Sequence, residues 1–303
     1  ADAFNDCYAL KTIRYALKLD ESGNVVYAEG NTLPYTITTL GLTGSYRSGP
    51  FKNCISLANI TLPDEITTVG NYMFYGCVSL KNVNLPKELT EIKQNSFASS
   101  GITTLELSKY QANSLTIYEG AFTGCEDLTT LDLSKVKTLY LYQTFKDCKS
   151  LTSLEIGSST ALKGKEKSSS TYYYNGFNGS GLKTVTINQN VLKSMFDSCT
   201  SLEKVILGAN VKKIEDSAFE DCSGLTTVDT TAVDELTIGA SSFKGATSLK
   251  AFDLSKATAI GKNAFQNCAS LTTVGPFHDK IPSLLDSVFD GSGLTAIDLA
   301  SSK

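Results

Sequence analysis

The residues with most chemistry to offer are eight cysteines: Cys7, Cys54, Cys77, Cys125, Cys148, Cys199, Cys222 and Cys268. Each stands three residues after a phenylalanine. In a secreted chain, eight thiols would ordinarily mean four disulfides. Their placement argues otherwise. One slot of a stacked repeat puts Cα atoms ~5 Å apart with parallel Cβ directions, which suits a bond poorly. Ser100, Ser180, Ala246 and Ser292 fill the same slot in other copies, and none of them can bridge. The thiols therefore read as free, small core residues whose weak S–H donors face the adjacent turn. No Cys-x-x-Cys or histidine cluster accompanies them, so a zinc site is disfavoured. His278, beside Phe277 and Asp279, is the only histidine. No nucleophile elbow or phosphate loop is present. The chain reads as non-catalytic, with no cofactor.

The frame that positions the thiols is Phe, Cys at +3, Leu at +6, an aliphatic residue at +9 and usually another at +11. Its phenylalanines are 4, 51, 74, 97, 122, 145, 177, 196, 219, 243, 265 and 289. A period in the low twenties marks a solenoid, because one turn cannot bury its own apolar face. In the copy from Phe74, Leu80, Val83 and Leu85 alternate with Asn82 and Asn84, the pattern of a short strand with one face buried. Pro86 then ends the pairing. Stacked strands would form a parallel sheet on one face, with rungs ~4.8 Å apart.

Residues 1–303 read as one domain. Residues 14–50 break the rhythm and read as a degenerate repeat, with a remnant at 33–41 and a turn at 20–24. The gap from Phe145 to Phe177 is about nine residues too long. The surplus, about 157–176, reads as a protruding loop ending in Tyr172, Tyr173 and Tyr174. Three serine-bearing copies are one residue shorter and carry a glycine, at Gly101, Gly181 and Gly293. The order of Cys, Ser and Ala at that slot, with periods of 71, 74 and 69 residues between Phe51, Phe122, Phe196 and Phe265, reads as the trace of an older three-unit duplication rather than as chemistry. Formal net charge is −4, which gives no general drive towards nucleic acid or anionic membrane. No apolar run approaches the ~20 residues of a membrane span. The chain opens in mid-repeat without a signal peptide, so it reads as a fragment or a processed form.

Phe51-Cys54-Leu57-Ile60-Leu62-Pro63 and Phe219-Cys222-Leu225-Val228, with Ile-Gly-x-x-Ala-Phe closing the turn at Phe265, resemble the BspA-type leucine-rich repeat. The resemblance covers nearly the whole chain. It implies a right-handed leucine-rich-repeat superhelix of about 12–13 short turns, α/β to β-rich. It also implies the surface of bacteria, often gut or oral anaerobes, or of parasitic protists, and adhesion to host proteins or other cells.

Two surfaces are candidates for recognition. Outward strand positions carry Glu106, Asp132 and Glu155 on three successive rungs, and Asp229 and Asp253 on two. Like charges ~5 Å apart repel and call for something to offset them. The plain reading is a solvated acidic face. The sharper one is a docking strip for a cationic protein surface, or a weak calcium site. The second surface is the tyrosine loop, which Tyr140 and Tyr142 would extend. Three functions remain open: an extracellular adhesion module that binds protein, a passive spacer in a larger surface protein, and a carbohydrate-binding surface. The tyrosines favour the last, and the absence of Trp weakens it.

Overall fold

The computed structural model describes residues 3–13, 16–19, 25–27, 49–107, 114–164, 175–277 and 284–297. The chain divides into two compact units, Ala1–Tyr140 and Leu141–Lys303. Each is a parallel-strand β-solenoid, a stack of β turns whose strands pair with those of the neighbouring turns.

In the first unit, one face holds Asn59–Thr61 paired with Asn82–Asn84, and Thr104–Leu105 paired with Thr130–Leu131. A second face is formed by Thr68–Val69, Glu91–Ile92, Leu115–Ile117 and Val136–Tyr140, in that order. In the second unit, Ser153–Ile156, Thr184–Ile187, Lys204–Leu207 and Thr227–Asp229 form an unbroken parallel sheet. Lys213–Ile214, Leu236–Ile238 and Ala257–Ile260 form a second sheet in that unit. The predicted alternation holds on the unbroken sheet, where Leu154, Val185, Val205 and Val228 register with one another and are buried.

The core is organised by the phenylalanines. Phe4, Phe51, Phe74, Phe97 and Phe122 stack in the first unit, with centroids 5.3 to 5.8 Å apart. The rings from Phe145 to Phe289 do the same in the second, at 4.9 to 5.5 Å. The turn spacing sets the ring spacing, so each ring covers the next. Each pair adds about 0.5–1.5 kcal/mol beyond the burial of its surface.

Among the described residues there is no helix. The segment around each Phe is instead a run of tight turns whose N–H groups alternate in direction. Phe51 N–H donates to Met73 of the next turn, Asn53 N–H to Tyr75 of the next turn, and Cys54 N–H back to Phe51. An α-helix would send every N–H along its own axis. Sending alternate ones to the neighbouring turn requires left-handed residues two before and two after the Phe. Asn53 (φ 58°) and Gly76 (φ 70°) hold the second of these positions on adjacent turns. The Asn53 Oδ1 lies over Gly76 so closely that a Cβ there would collide with it.

The solenoid expectation for 14–50 meets a different arrangement. Phe4 stacks directly on Phe51, its N–H donates to Pro50 at 2.9 Å, and Cys54 Sγ donates to its carbonyl at 3.1 Å. No ring of a further turn stands between them. Within the intervening segment, Ala16–Leu19 and Val25–Tyr27 pair antiparallel. The expected turn at 20–24 and remnant at 33–41 lie outside the described residues.

Candidate binding surfaces

The cysteines are free, and all but Cys7 are buried. Their sulfur atoms face along the stack. Cys77 Sγ donates to Phe51 O at 3.0 Å, Cys125 to Phe97 at 3.0 Å, Cys199 to Phe177 at 3.1 Å, Cys222 to Phe196 at 3.0 Å and Cys268 to Phe243 at 3.1 Å. Burial pushes the Cys54 thiol up to about 11, and those of Cys77, Cys125 and Cys268 to about 12. Thiols held in that form are hydrogen-bond donors, not nucleophiles.

The short glycine turns have a steric cause. Gly101 and Gly293 N–H groups donate to Cys77 O at 3.2 Å and Cys268 O at 3.3 Å, each one turn earlier. Gly181 N–H does the same to Cys148 O at 3.1 Å. At all three, a Cβ would fall on a carbonyl of the preceding turn: Val78, Lys149 or Ala269. The carbonyl leaves no room for a Cβ at any of the three, so only glycine fits.

The carboxylates divide by unit. The register Leu105 to Leu131 sets Glu106 beside Asp132 on neighbouring strands of the first unit. In the second unit, Glu155 registers with Thr186, then Ile206, then Asp229, so two uncharged residues separate the acids. Asp253 follows Phe252, whose registered partner is Val274. Three of these acids also have local work. Asp132 accepts from Ser134 N–H, and Asp253 from Ser255 N–H, both at 2.8 Å. Asp229 accepts from Thr231 N–H at 3.1 Å and its hydroxyl at 2.7 Å. These are Asx turns that steer the chain off the strand. The Thr231 hydroxyl and N–H together lower the Asp229 pKa. An Asp-x-Ser/Thr pattern after a strand was the available signal. Among the described residues, no three metal-ligating side chains converge.

The loop is partly built into the fold. The Gln189 carboxamide donates to Gly157 O at 2.7 Å and Thr160 O at 2.8 Å, and Ala161–Lys163 is a strand. Tyr172, Tyr173, Tyr174 and His278 lie outside the described residues. Tyr140 stacks on Tyr118 at 5.1 Å within the first unit.

A cluster beneath that pair has no counterpart in the repeat pattern. Glu91 accepts from Lys93 Nζ at 2.7 Å, Tyr118 OH at 2.8 Å and Thr68 Oγ1 at 3.2 Å. Lys93 also lies 4.3 Å over the Tyr118 ring. Burial opposes ionisation of Glu91, but these donors outweigh it and hold its pKa below the usual range. These residues come from three turns, so only their spacing of about one repeat could have linked them.

No helix among the described residues is long and apolar enough to cross a membrane. No curated protein matches the chain. Among solved structures, a leucine-rich repeat protein from Bacteroides ovatus is similar at 19% identity, covering 93% of this chain and 91% of its own, with a TM-score of 0.44. One from Eubacterium ventriosum is 16% identical over 84% of this chain and 82% of its own, with a TM-score of 0.43. A leucine-rich cell surface protein from Faecalibacterium prausnitzii is 20% identical over 93% of each, with a TM-score of 0.35. The pattern of the BspA type leucine rich repeat region matches residues 45–167, 135–237 and 169–295. The chain belongs to the BspA-type leucine-rich repeat family.

Proposed function

We propose that the chain is a non-enzymatic, extracellular binding module displayed at a cell surface, which mediates adhesion to host proteins or other cells. In this reading residues 1–303 form a single right-handed solenoid domain. The observation that carries it is the contrast between the two sides of one registered sheet. The inward positions Leu154, Val185, Val205 and Val228 are all aliphatic, while the outward positions beside them run Glu155, Thr186, Ile206 and Asp229. A scaffold that repeats inside and varies outside displays side chains at fixed spacing, as a recognition surface requires. Family membership supports the same reading, since leucine-rich repeats are interaction modules.

The test is saturable capture of host matrix or mucus proteins by the whole chain. Three versions are compared: unaltered, lacking 163–171, and with Glu106, Asp132 and Glu155 replaced by Ser or Thr. A partner lost with the loop assigns binding to the tyrosines, and one lost with the carboxylates assigns it to the acidic strip. No partner for any version would replace the adhesion reading with that of a spacer.

A further inference from the structure

The first unit's front sheet is interrupted. Asn59–Thr61 pairs with Asn82–Asn84, and Thr104–Leu105 with Thr130–Leu131, but no ladder joins Asn82–Asn84 to Thr104–Leu105. A groove of about 710 Å³ opens over the break. Its inward-slot residues Val83 and Leu85 are half-buried, whereas their counterparts Ile60, Leu62, Leu105 and Leu107 are buried.

Three carboxamides (Asn59, Asn82, Asn84), two hydroxyls (Thr61, Thr104) and the Glu106 carboxylate face the groove. Asn59 registers with Asn82 and Thr61 with Asn84, and Asn84 Nδ2 donates to Thr61 Oγ1 at 3.5 Å. At the rim, Lys87 is paired with Asp64 at 3.0 Å. The groove thus has many donors and acceptors and a small aliphatic floor.

We propose that this groove binds a neutral saccharide. A carboxamide carries a donor and an acceptor side by side, which matches the paired hydroxyls on adjacent ring carbons of a sugar. The half-buried Val83 and Leu85 offer an aliphatic surface to the C–H face of the same ring. Protein hot spots are built instead on Trp, Tyr and Arg anchors, and none of these is among the described residues that line the groove. The Lys87 ammonium is already paired with Asp64, and the described lining residues offer no other cation to an acidic sugar. With no aromatic platform among the described lining residues, the expected affinity is in the millimolar range that the titration covers. This inference stands apart from the protein-adhesion reading, and either can fail without the other.

The experiment is amide chemical-shift mapping of the whole isotope-labelled chain. It is titrated at millimolar concentration with cellobiose, maltose, lactose and diacetylchitobiose, and separately with sialyllactose and a Lys-rich peptide. Saturable shifts at 82–87 and 104–106 with a neutral disaccharide are expected, and weaker ones with sialyllactose. The Asn82→Ala/Asn84→Ala variant should lose at least tenfold in affinity at an unchanged melting temperature. If it fails to fold, Thr104→Val/Glu106→Gln takes its place with the same expectation. No shift with any of the four sugars overturns the proposal. So does binding unchanged in the folded variant, or a preference for the peptide or the sialylated sugar.

Discussion

Cys77 Sγ donates to the carbonyl of Phe51, one turn earlier, at 3.0 Å, and the same carbonyl accepts the Cys54 N–H at 3.1 Å. The thiol thus satisfies a second lone pair that the turn's own backbone cannot reach. Cys77→Ala removes that donor and leaves a small void beside a fully buried ring. It should cost about 1–3 kcal/mol, read as a lower urea midpoint. Ala246 holds the same slot without a thiol, so Ala246→Cys should gain about 0.5–1 kcal/mol from a bond to Phe219 O. A Cys77→Ala protein as stable as the parent would reduce the thiols to space-fillers.

Burial of these thiols makes stability fall with alkali. Their folded pKa values are raised to about 11 for Cys54 and about 12 for Cys77, Cys125 and Cys268. An unfolded thiol ionises near ~8.5. The stabilisation is therefore complete below that value and is lost as pH rises towards the folded pKa. Each thiol costs at most about 1.4 kcal/mol per pH unit within that window. Urea midpoints from pH 7 to 10 should drop steeply above pH 9, and less so in a chain with several Cys→Ala changes. A flat profile would contradict the assignment.

The short turns give the sharpest steric prediction. Gly181→Ala would drive its Cβ into the Lys149 carbonyl. Backbone must move and the Gly181 to Cys148 bond is lost, at a cost of about 2–4 kcal/mol. Gly157→Ala is the control, because its nearest neighbour would be Ser159 Oγ at 3.9 Å. Equal melting temperatures for the two variants would refute the steric account.

These cases show which features the sequence could carry. The Phe, Cys, Leu and aliphatic slots are legible because burial asks the same thing of each turn: Phe51, Cys54, Leu57 and Ile60 are all at most 2% exposed. The lost ladder between Asn82–Asn84 and Thr104–Leu105 is not legible. The inward pattern continues through Val83 and Leu105 unchanged, and only backbone separation distinguishes them. The direct stack of Phe4 on Phe51 was hidden for a related reason. Spacing of 47 residues resembles two periods, yet the two rings are neighbours in the stack. The carboxylates occupy positions that strand alternation makes legible, but the Asx turns of Asp132, Asp229 and Asp253 depend on the residues after each strand, not on the rung.

Glu91 supplies a prediction at the acid end. Lys93, Tyr118 and Thr68 stabilise its charged form against the burial that opposes it, so its folded pKa lies below the ordinary value. The contribution is present above the unfolded pKa of ~4.3 and is lost as pH falls through the folded one. The side chain is 31% exposed, so solvent screening limits the effect to about 1 kcal/mol or less. Tyr118→Phe removes one donor while preserving the ring that stacks on Tyr140. It should raise the Glu91 pKa, and carbon-detected titration of the carboxyl would read this directly. Glu91→Gln should flatten the stability profile between pH 5 and 3, measured as melting temperature. A Glu91 titration unmoved by Tyr118→Phe would mean that Lys93 and Thr68 hold the carboxylate without it.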